Sequence, residues 1–169
     1  MKKEKIKRLA EEIFAESSLS RAYEHSQNHD TGFITAYRND NSKKENKLSS
    51  KALSALLQSK GYGITKVKGS YIENYKQPDA KEVSEATFIV VDIHDKGNLQ
   101  KALMNLGEKF QQDSVLFVSK GGEKSALIGT NKGGYPGYHK VNMMKNAVYS
   151  QTGEFMTRVN GRPFIFKED

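Results

Sequence analysis

Cysteine is absent from the 169 residues of the chain. Disulfide bonds, zinc sites built on thiolates and cysteine nucleophiles are therefore excluded, and the composition fits a reducing compartment. The chain also lacks any apolar run close to the roughly 20 residues that cross a bilayer. Its first residues, Met1-Lys2-Lys3, lead into an amphipathic pattern rather than a signal sequence. We therefore expect a protein made in the cytoplasm that has no membrane partner.

The common motifs of catalysis and cofactor binding are missing as well. The glycine-rich segment from Gly133 to Gly137 has neither the spacing of a P-loop nor the order of a dinucleotide fingerprint. No serine lies in a Gly-x-Ser-x-Gly elbow. His25 and His29 are four residues apart, but the sequence assigns no third or fourth metal ligand. We therefore predict no catalytic residue, no metal and no cofactor, and we favour a protein that is not an enzyme.

Positive charge is in excess and is concentrated in one part of the chain. Lys and Arg number 27 against 20 for Asp and Glu, which gives a net charge of +7. Residues 43–68 carry seven lysines against one glutamate. A lysine-rich helix face of this kind is usually only solvated, but it can also attract nucleic acid or an acidic protein. The candidate contacts are Lys44, Lys47 and Lys51.

The stretch from Glu85 to Val118 has the pattern of strand, helix and strand. Thr87 to Ile93 is mostly aliphatic or aromatic and contains no glycine or proline, which is typical of a strand buried on both faces. Apolar residues then recur at spacings of three and four, which predicts a helix with one buried face. These residues are Leu99, Ala102, Leu103, Leu106 and Phe110. A second apolar run, Val115 to Val118, predicts the next strand.

The part of the chain before Glu85 has a matching pattern. Phe33 to Tyr37 predicts the first strand, and Ile64 to Ile72 predicts another. Between them, Ser42 and Glu45 form a capping box that begins a helix. Gly61 is placed to end that helix in the left-handed conformation. The predicted buried stripe of the helix consists of Leu48, Ala52, Leu56 and Leu57.

Together these elements predict an α+β fold, the ferredoxin-like split βαβ sandwich with the order βαββαβ. In that topology the first and third strands lie in the middle of an antiparallel sheet. An amphipathic N-terminal helix and C-terminal β-hairpins, one of them turning at Asn160-Gly161, are additions to it. We therefore divide the chain into an N-terminal helical segment (1–30), an α+β core domain (31–130) and a C-terminal loop and hairpin extension (131–169).

Polar residues at the predicted strand ends form a candidate binding cluster. Glu85 and Gln112 precede two apolar strands, and a right-handed crossover would make those strands parallel and bring both residues to one end of the sheet. Asn46 in the first turn of the capped helix and Arg38 after the first strand complete the cluster. The alternative is purely structural: Glu85 and Arg38 form a surface ion pair, Asn46 caps a helix, and Gln112 satisfies backbone groups.

Several short motifs together resemble a family of small uncharacterised bacterial and tailed-phage proteins with a domain of unknown function. The motifs in the core are Gly32 to Arg38, Glu45 to Leu48, Gly61 to Gly63, Gly69, Glu85 to Val90 and Phe110 to Val115. The tail from Gly129 to Phe164 is similar to the longer form carried by tailed phages. The resemblance implies a phage-encoded protein made in the host cytoplasm, and it transfers no catalytic residue.

The resemblance leaves two classes of function. We expect a non-enzymatic phage protein that is associated with the virion, as a structural component or as cargo, and that acts through contacts with a phage or host protein. In the alternative, it is an early accessory protein that binds nucleic acid or nucleotides, for example against host defence. The basic helix face and the cluster around Glu85 are the candidate surfaces for either partner.

Overall fold

A computed structural model describes residues 2–6, 18–73, 76–122, 124–143, 148–149, 155–159 and 162–167. Residues 2–6 are helical, and a second helix, α1, spans Ser18–Ser26. Ile6 belongs to the apolar stripe of the predicted amphipathic N-terminal helix, but 64% of its surface is exposed. The rest of the predicted N-terminal stripe lies in residues 7–17, outside the described residues.

The core elements follow in the predicted order of strand, helix, strand, strand, helix, strand. They are β1 (Thr31–Thr35), α2 (Lys43–Ser59), β2 (Gly63–Glu73), β3 (Lys81–Val91), α3 (Leu99–Lys109) and β4 (Ser114–Val118). Five further strands follow β4 in the described part of the chain. They are β5 (Ser125–Gly129), β6 (Val141–Met143), β7 (Val148–Tyr149), β8 (Phe155–Val159) and β9 (Arg162–Lys167).

All described strands belong to one sheet in the order β6-β5-β4-β1-β3-β2-β9-β8-β7. The central part, β4-β1-β3-β2, is antiparallel between neighbours and places the first and third strands in the middle. This is the strand arrangement of the split βαβ sandwich, so the predicted fold class is confirmed.

The additions continue this sheet on both sides. β4 turns through a short 3₁₀ segment, Lys120–Gly122, into β5, and β6 then pairs with β5. On the other side, β9 pairs with β2, and β8 and β7 follow. The strands predicted on either side of Asn160-Gly161 are present and pair with each other, while that dipeptide itself lies outside the described residues. The division of the chain into three parts stays a prediction.

One face of the sheet is covered by α2 and α3. The residues buried between the helices and this face include Ile34, Phe88, Val90, Leu103 and Val115. A Cβ atom at Gly32 would overlap the side chain of Leu103, so glycine at this position lets α3 approach β1 closely. Burial of each large aliphatic side chain in this layer contributes about 1.5–3 kcal/mol.

The capping box at Ser42 and Glu45 begins α2 as predicted, but the buried face of the helix is only partly the predicted one: Leu57 is buried and Leu56 packs against the core. Leu48 is 58% exposed and Ala52 is also exposed, whereas the residues turned inward are Asn46, Ser50, Leu53 and Leu57. The reason is the side chain of Asn46, which is hydrogen-bonded to the backbone of Arg38 and so fixes the rotation of the helix about its axis.

The opposite face of the sheet is also buried, although none of the longer helices in the described residues lies on it. Its buried side chains alternate with those of the helix-covered face, as the two-residue period of a strand requires. They include Phe33, Thr87, Ile89, Val67 and Leu116. The short helix α1 contacts β2 and β3, and its Ala22 is 1% exposed. Thr31 and Thr87 are buried polar side chains of this second face.

Two leucines of α2 provide a direct test of its orientation. We expect Leu57→Ala to lower the free energy of unfolding by about 2–5 kcal/mol, because Leu57 is fully buried and its removal leaves a cavity. The matched change Leu48→Ala should stay within about 0.5 kcal/mol of the wild type. Urea unfolding of both variants measures the difference, and equal losses would contradict the orientation described here.

Candidate functional site

Glu85 lies on the second face of the sheet, in the first half of β3. Its partner across the ladder in β2 is Gly69, which has no side chain to cover that side of the carboxyl group. The pairing of β1 with β3 ends at Thr35 and Thr87, so Glu85 lies just beyond the end of β1. The carboxyl group is therefore held at the margin of a buried face rather than on an open surface.

The surroundings of Glu85 disfavour its charged form. Part of the side chain remains accessible, but protein atoms enclose the carboxyl group on most sides, and this burial raises its pKa from 4.5 to about 7. Among the described residues, no hydrogen bond or ion pair to this carboxyl group is present. Glu85 is thus an acid without a countercharge, which is typical of functional sites.

Thr87 is the neighbour of Glu85 on the same face of β3, and only 3% of it is exposed. Its hydroxyl oxygen is the one buried side-chain polar atom without a hydrogen-bond partner in the described part of the chain. A buried hydroxyl without a partner costs about 1–3 kcal/mol, so folded proteins rarely retain one without a reason. Glu85 and Thr87 therefore place two unpaired polar groups side by side.

Thr35, which pairs with Thr87 across the sheet, differs from it in this respect. The Thr35 hydroxyl donates to the Ala86 carbonyl at 2.7 Å and accepts a hydrogen bond from the Tyr37 amide at 3.0 Å. These two bonds fix the end of β1. Thr35 therefore has a structural role, and the available hydroxyl on this part of the face belongs to Thr87.

The structure brings Arg38 and Asn46 together, as the predicted cluster required. The Asn46 side chain accepts from the Arg38 amide at 2.9 Å and donates to the Arg38 carbonyl at 3.1 Å. The Arg38 guanidinium binds both carboxylate oxygens of Asp40, and the hydrogen bond lowers the pKa of Asp40. It also donates to the Gln111 carbonyl at 2.8 Å. Arg38 therefore pairs with Asp40, and the ion pair with Glu85 considered above is not formed.

Gln112 lies in the same region, and its contacts are with the backbone. Its side-chain amide donates to the carbonyls of Tyr37 and Phe110, each at 3.2 Å. Its own carbonyl accepts from the Thr130 hydroxyl. Asn46 and Gln112 thus hold the end of β1 against α2 and the start of β4. Whether the cluster binds a ligand stays a prediction.

The basic face is present as a solvated surface. Lys44, Lys47 and Lys51 are all exposed along α2. None of the described helices is long and apolar enough to cross a membrane.

In the described residues, no group of three or more His, Asp or Glu side chains is arranged to hold a metal ion. His29 instead lies 2.8 Å from the Asp95 carboxylate.

Comparison with protein families matches residues 32–165 to the S-adenosylmethionine lyase family. The chain belongs to the S-adenosylmethionine lyase family. It is also similar to the solved structure of a phage SAM lyase in complex with S-methyl-5'-thioadenosine, with 21% identity over 60% of this chain and 88% of that chain and a TM-score of 0.37. No curated protein matches it.

Membership of the lyase family overturns the predicted identity and function. The family is named for an enzyme activity, so the chain does not represent a domain of unknown function, and the predicted virion-associated structural role is wrong. Two of the motifs behind the resemblance, Gly32 to Arg38 and Glu45 to Leu48, include strand and helix-start positions, whereas the motif Glu85 to Val90 contains the candidate site residues Glu85 and Thr87. Short motifs of this kind specify a fold more readily than a reaction, which is why the resemblance misled the functional prediction.

Sequence reasoning found Glu85 in this lyase-family chain but missed Thr87. In the sequence, Thr87 is the first residue of an apolar run and a good strand former, so the pattern predicts only an ordinary strand residue. A hydroxyl at the start of a strand expected to be buried on both faces was the available signal. Only the three-dimensional surroundings show that the hydroxyl has no partner.

The raised pKa of Glu85 predicts a specific pH dependence of stability. The folded state holds the proton up to about pH 7 and the unfolded state releases it near 4.5, so stability contributed by this group is lost as pH rises between those values. The shift corresponds to about 3 kcal/mol. We expect the free energy of unfolding of the wild type, relative to Glu85→Gln, to fall by that amount from about pH 4.5 to 7. A constant difference would show that the carboxyl group titrates normally.

Proposed function

We propose that the protein is an S-adenosylmethionine lyase and that Glu85 binds the cationic amino acid part of the substrate. The observation that carries the proposal is the enclosed carboxyl group of Glu85, which lies in the segment matched to the lyase family and lacks a countercharge among the described residues. S-adenosylmethionine has two cationic groups, a sulfonium and an ammonium, and one carboxylate. A cationic ligand supplies the partner that the described residues do not provide.

The electrostatics favour this assignment. An ion pair is stronger where water is partly excluded, because the effective dielectric constant is lower there. A carboxyl group that burial keeps half protonated near neutral pH ionises fully when a cation is placed beside it. Gly69, opposite Glu85, adds no side chain of its own beside the carboxyl group. Substrate binding near pH 7 is therefore expected to release a proton from Glu85.

The reaction indicates which of the two cationic groups of the substrate Glu85 contacts. Cleavage of a carbon–sulfur bond converts the sulfonium into a neutral thioether, so a carboxylate held against the sulfonium would stabilise the substrate more than the transition state and slow the reaction. The ammonium keeps its charge throughout. A contact between Glu85 and the ammonium thus contributes to binding without opposing the bond cleavage.

A lyase breaks the carbon–sulfur bond of S-adenosylmethionine without adding water. The substrate contains a nucleophile of its own, its carboxylate. One oxygen of its carboxylate attacks the γ-carbon, the bond from that carbon to sulfur breaks, and the electron pair of that bond goes to sulfur. The products are a five-membered lactone and S-methyl-5'-thioadenosine, and no proton, water or electron is exchanged. The protein contributes by holding the flexible chain in the conformation that closes the ring.

The proposal fits the earlier prediction of a phage protein in the host cytoplasm, because S-adenosylmethionine is a soluble metabolite of the cell. We propose that location for the activity. A partner protein and nucleic acid binding through the basic helix face are not needed for it.

Purified full-length protein incubated with S-adenosylmethionine tests the activity. We expect chromatography with mass spectrometry to detect the thioether and the lactone in equal amounts. In water enriched in oxygen-18, the hydroxyl oxygen of any homoserine formed later should remain unlabelled, because ring opening at the acyl carbon labels the carboxyl group. Label in the hydroxyl group would indicate direct hydrolysis, and an unchanged substrate would overturn the proposed function.

The Glu85→Gln variant tests the role of the carboxylate. Loss of a buried charge pair typically costs about 2–5 kcal/mol, so we expect kcat/KM to fall by roughly 30-fold or more. For the wild type, kcat/KM should decrease as pH falls below about 7, since protonation removes the countercharge. Glu82→Gln is the matched control, because Glu82 is an exposed residue of the same strand. A Glu85→Gln variant with wild-type kcat/KM would exclude Glu85 from substrate binding.

A further inference from the structure

We infer that Thr87 is a positioning residue, whose hydroxyl donates a hydrogen bond to the Glu85 carboxylate when substrate is bound. The inference rests on the proposed function, because it assigns the second polar group of the same site. Thr87 itself is not expected to touch the substrate.

The first step of the inference is the unexplained hydroxyl. Thr87 is 3% exposed, and its hydroxyl has no partner among the described residues. Other buried hydroxyls of the structure do have partners: Thr130 donates to the Gln112 carbonyl, and Ser26 donates to the Tyr23 carbonyl at 2.6 Å. A methyl group in place of the Thr87 hydroxyl would fill the same space without the cost of burying it, so fold stability does not account for threonine here.

The second step is the position of the hydroxyl. Residues two apart on a strand share a face, and at about 3.3 Å per residue their Cα atoms are roughly 6.6 Å apart. This separation is within the combined reach of a glutamate and a threonine side chain. An ionised carboxylate accepts several hydrogen bonds, whereas a protonated one accepts fewer. The hydroxyl of Thr87 therefore gains its partner at the moment when Glu85 becomes charged.

The third step is the absence of a competing charge among the described groups that face Glu85. Gly69 opposite it is uncharged, and Lys66 and Lys68 pair with Phe88 and Ala86 and so lie on the helix-covered face. In α1, Arg21, Glu24 and His25 are exposed, and Tyr23 is half-buried. Past the end of β1, Arg38 is paired with Asp40. Thr87 thus carries the hydroxyl that lies two residues from Glu85 on the same face of β3.

The experiment compares the pH profile of kcat/KM for Thr87→Val, Thr87→Ser and the wild type, all as full-length protein. On the acidic side of the pH profile, kcat/KM falls through a midpoint. Loss of one hydrogen bond to the carboxylate should raise this midpoint by about one pH unit in Thr87→Val, and kcat/KM below the midpoint should be about tenfold lower. Well above the midpoint the variant should approach the wild-type value. Thr87→Ser, which keeps the hydroxyl, should restore the wild-type midpoint.

The matched control is Thr31→Val, which changes the same residue type on the same face at the other end of β1. It should leave the midpoint unchanged. The Tm of Thr87→Val should equal or exceed that of the wild type, because an unpaired buried hydroxyl is removed. If the valine variant does not fold, Thr87→Ala provides the same comparison.

The possible results separate the two proposals. A wild type that cleaves S-adenosylmethionine with a pH profile identical to that of Thr87→Val would overturn the role of Thr87 and leave the proposed function intact. A midpoint that serine fails to restore would also overturn it. A wild type that leaves the substrate unchanged would overturn the proposed function, and this inference with it.

Discussion

The structure depends on the antiparallel pairing of β1 with β3 at the centre of the sheet. This pairing runs from Thr31 opposite Val91 to Thr35 opposite Thr87, and it stops there because the chain leaves the ladder at the end of β1. β3 continues past that point with β2 as its partner. The polar residues of the candidate site lie where the central pairing ends, so their position is a consequence of strand length and register. A shift of one residue would turn Glu85 to the helix-covered face.

The two faces of the sheet differ in the side chains that they bury. The face under α2 and α3 holds a cluster of buried apolar side chains, and their burial stabilises the fold. The other face is buried too, but it holds an enclosed carboxyl group and a hydroxyl without a partner. These groups cost stability in the free protein. Such a cost is retained where a ligand removes it, which is the physical basis for assigning chemistry to this face.

The fold and the function were predictable to different degrees. The strand and helix order followed from apolar periodicity and from the Ser42 capping box, because these local signals act over a few residues. The rotation of α2 was not predictable, since it depends on hydrogen bonds between Asn46 and the backbone of Arg38, eight residues away along the chain. Function was mispredicted because no recognisable motif in the sequence assigned a reaction to Glu85, whereas the lyase family became evident only from comparison over residues 32–165.

Glu85 shows most clearly what each level determines. The sequence by itself determined that a carboxylate precedes an apolar strand and that this strand lies at the centre of an α+β sheet. The tertiary structure decided that Arg38 pairs with Asp40 instead, that Gly69 stands opposite Glu85, and that Thr87 beside it has no partner. The physical reason is that a pKa and an unsatisfied hydrogen bond depend on atoms brought close in space by long-range strand pairing. The order of residues along the chain specifies which groups are available, and the register of the sheet decides which of them meet.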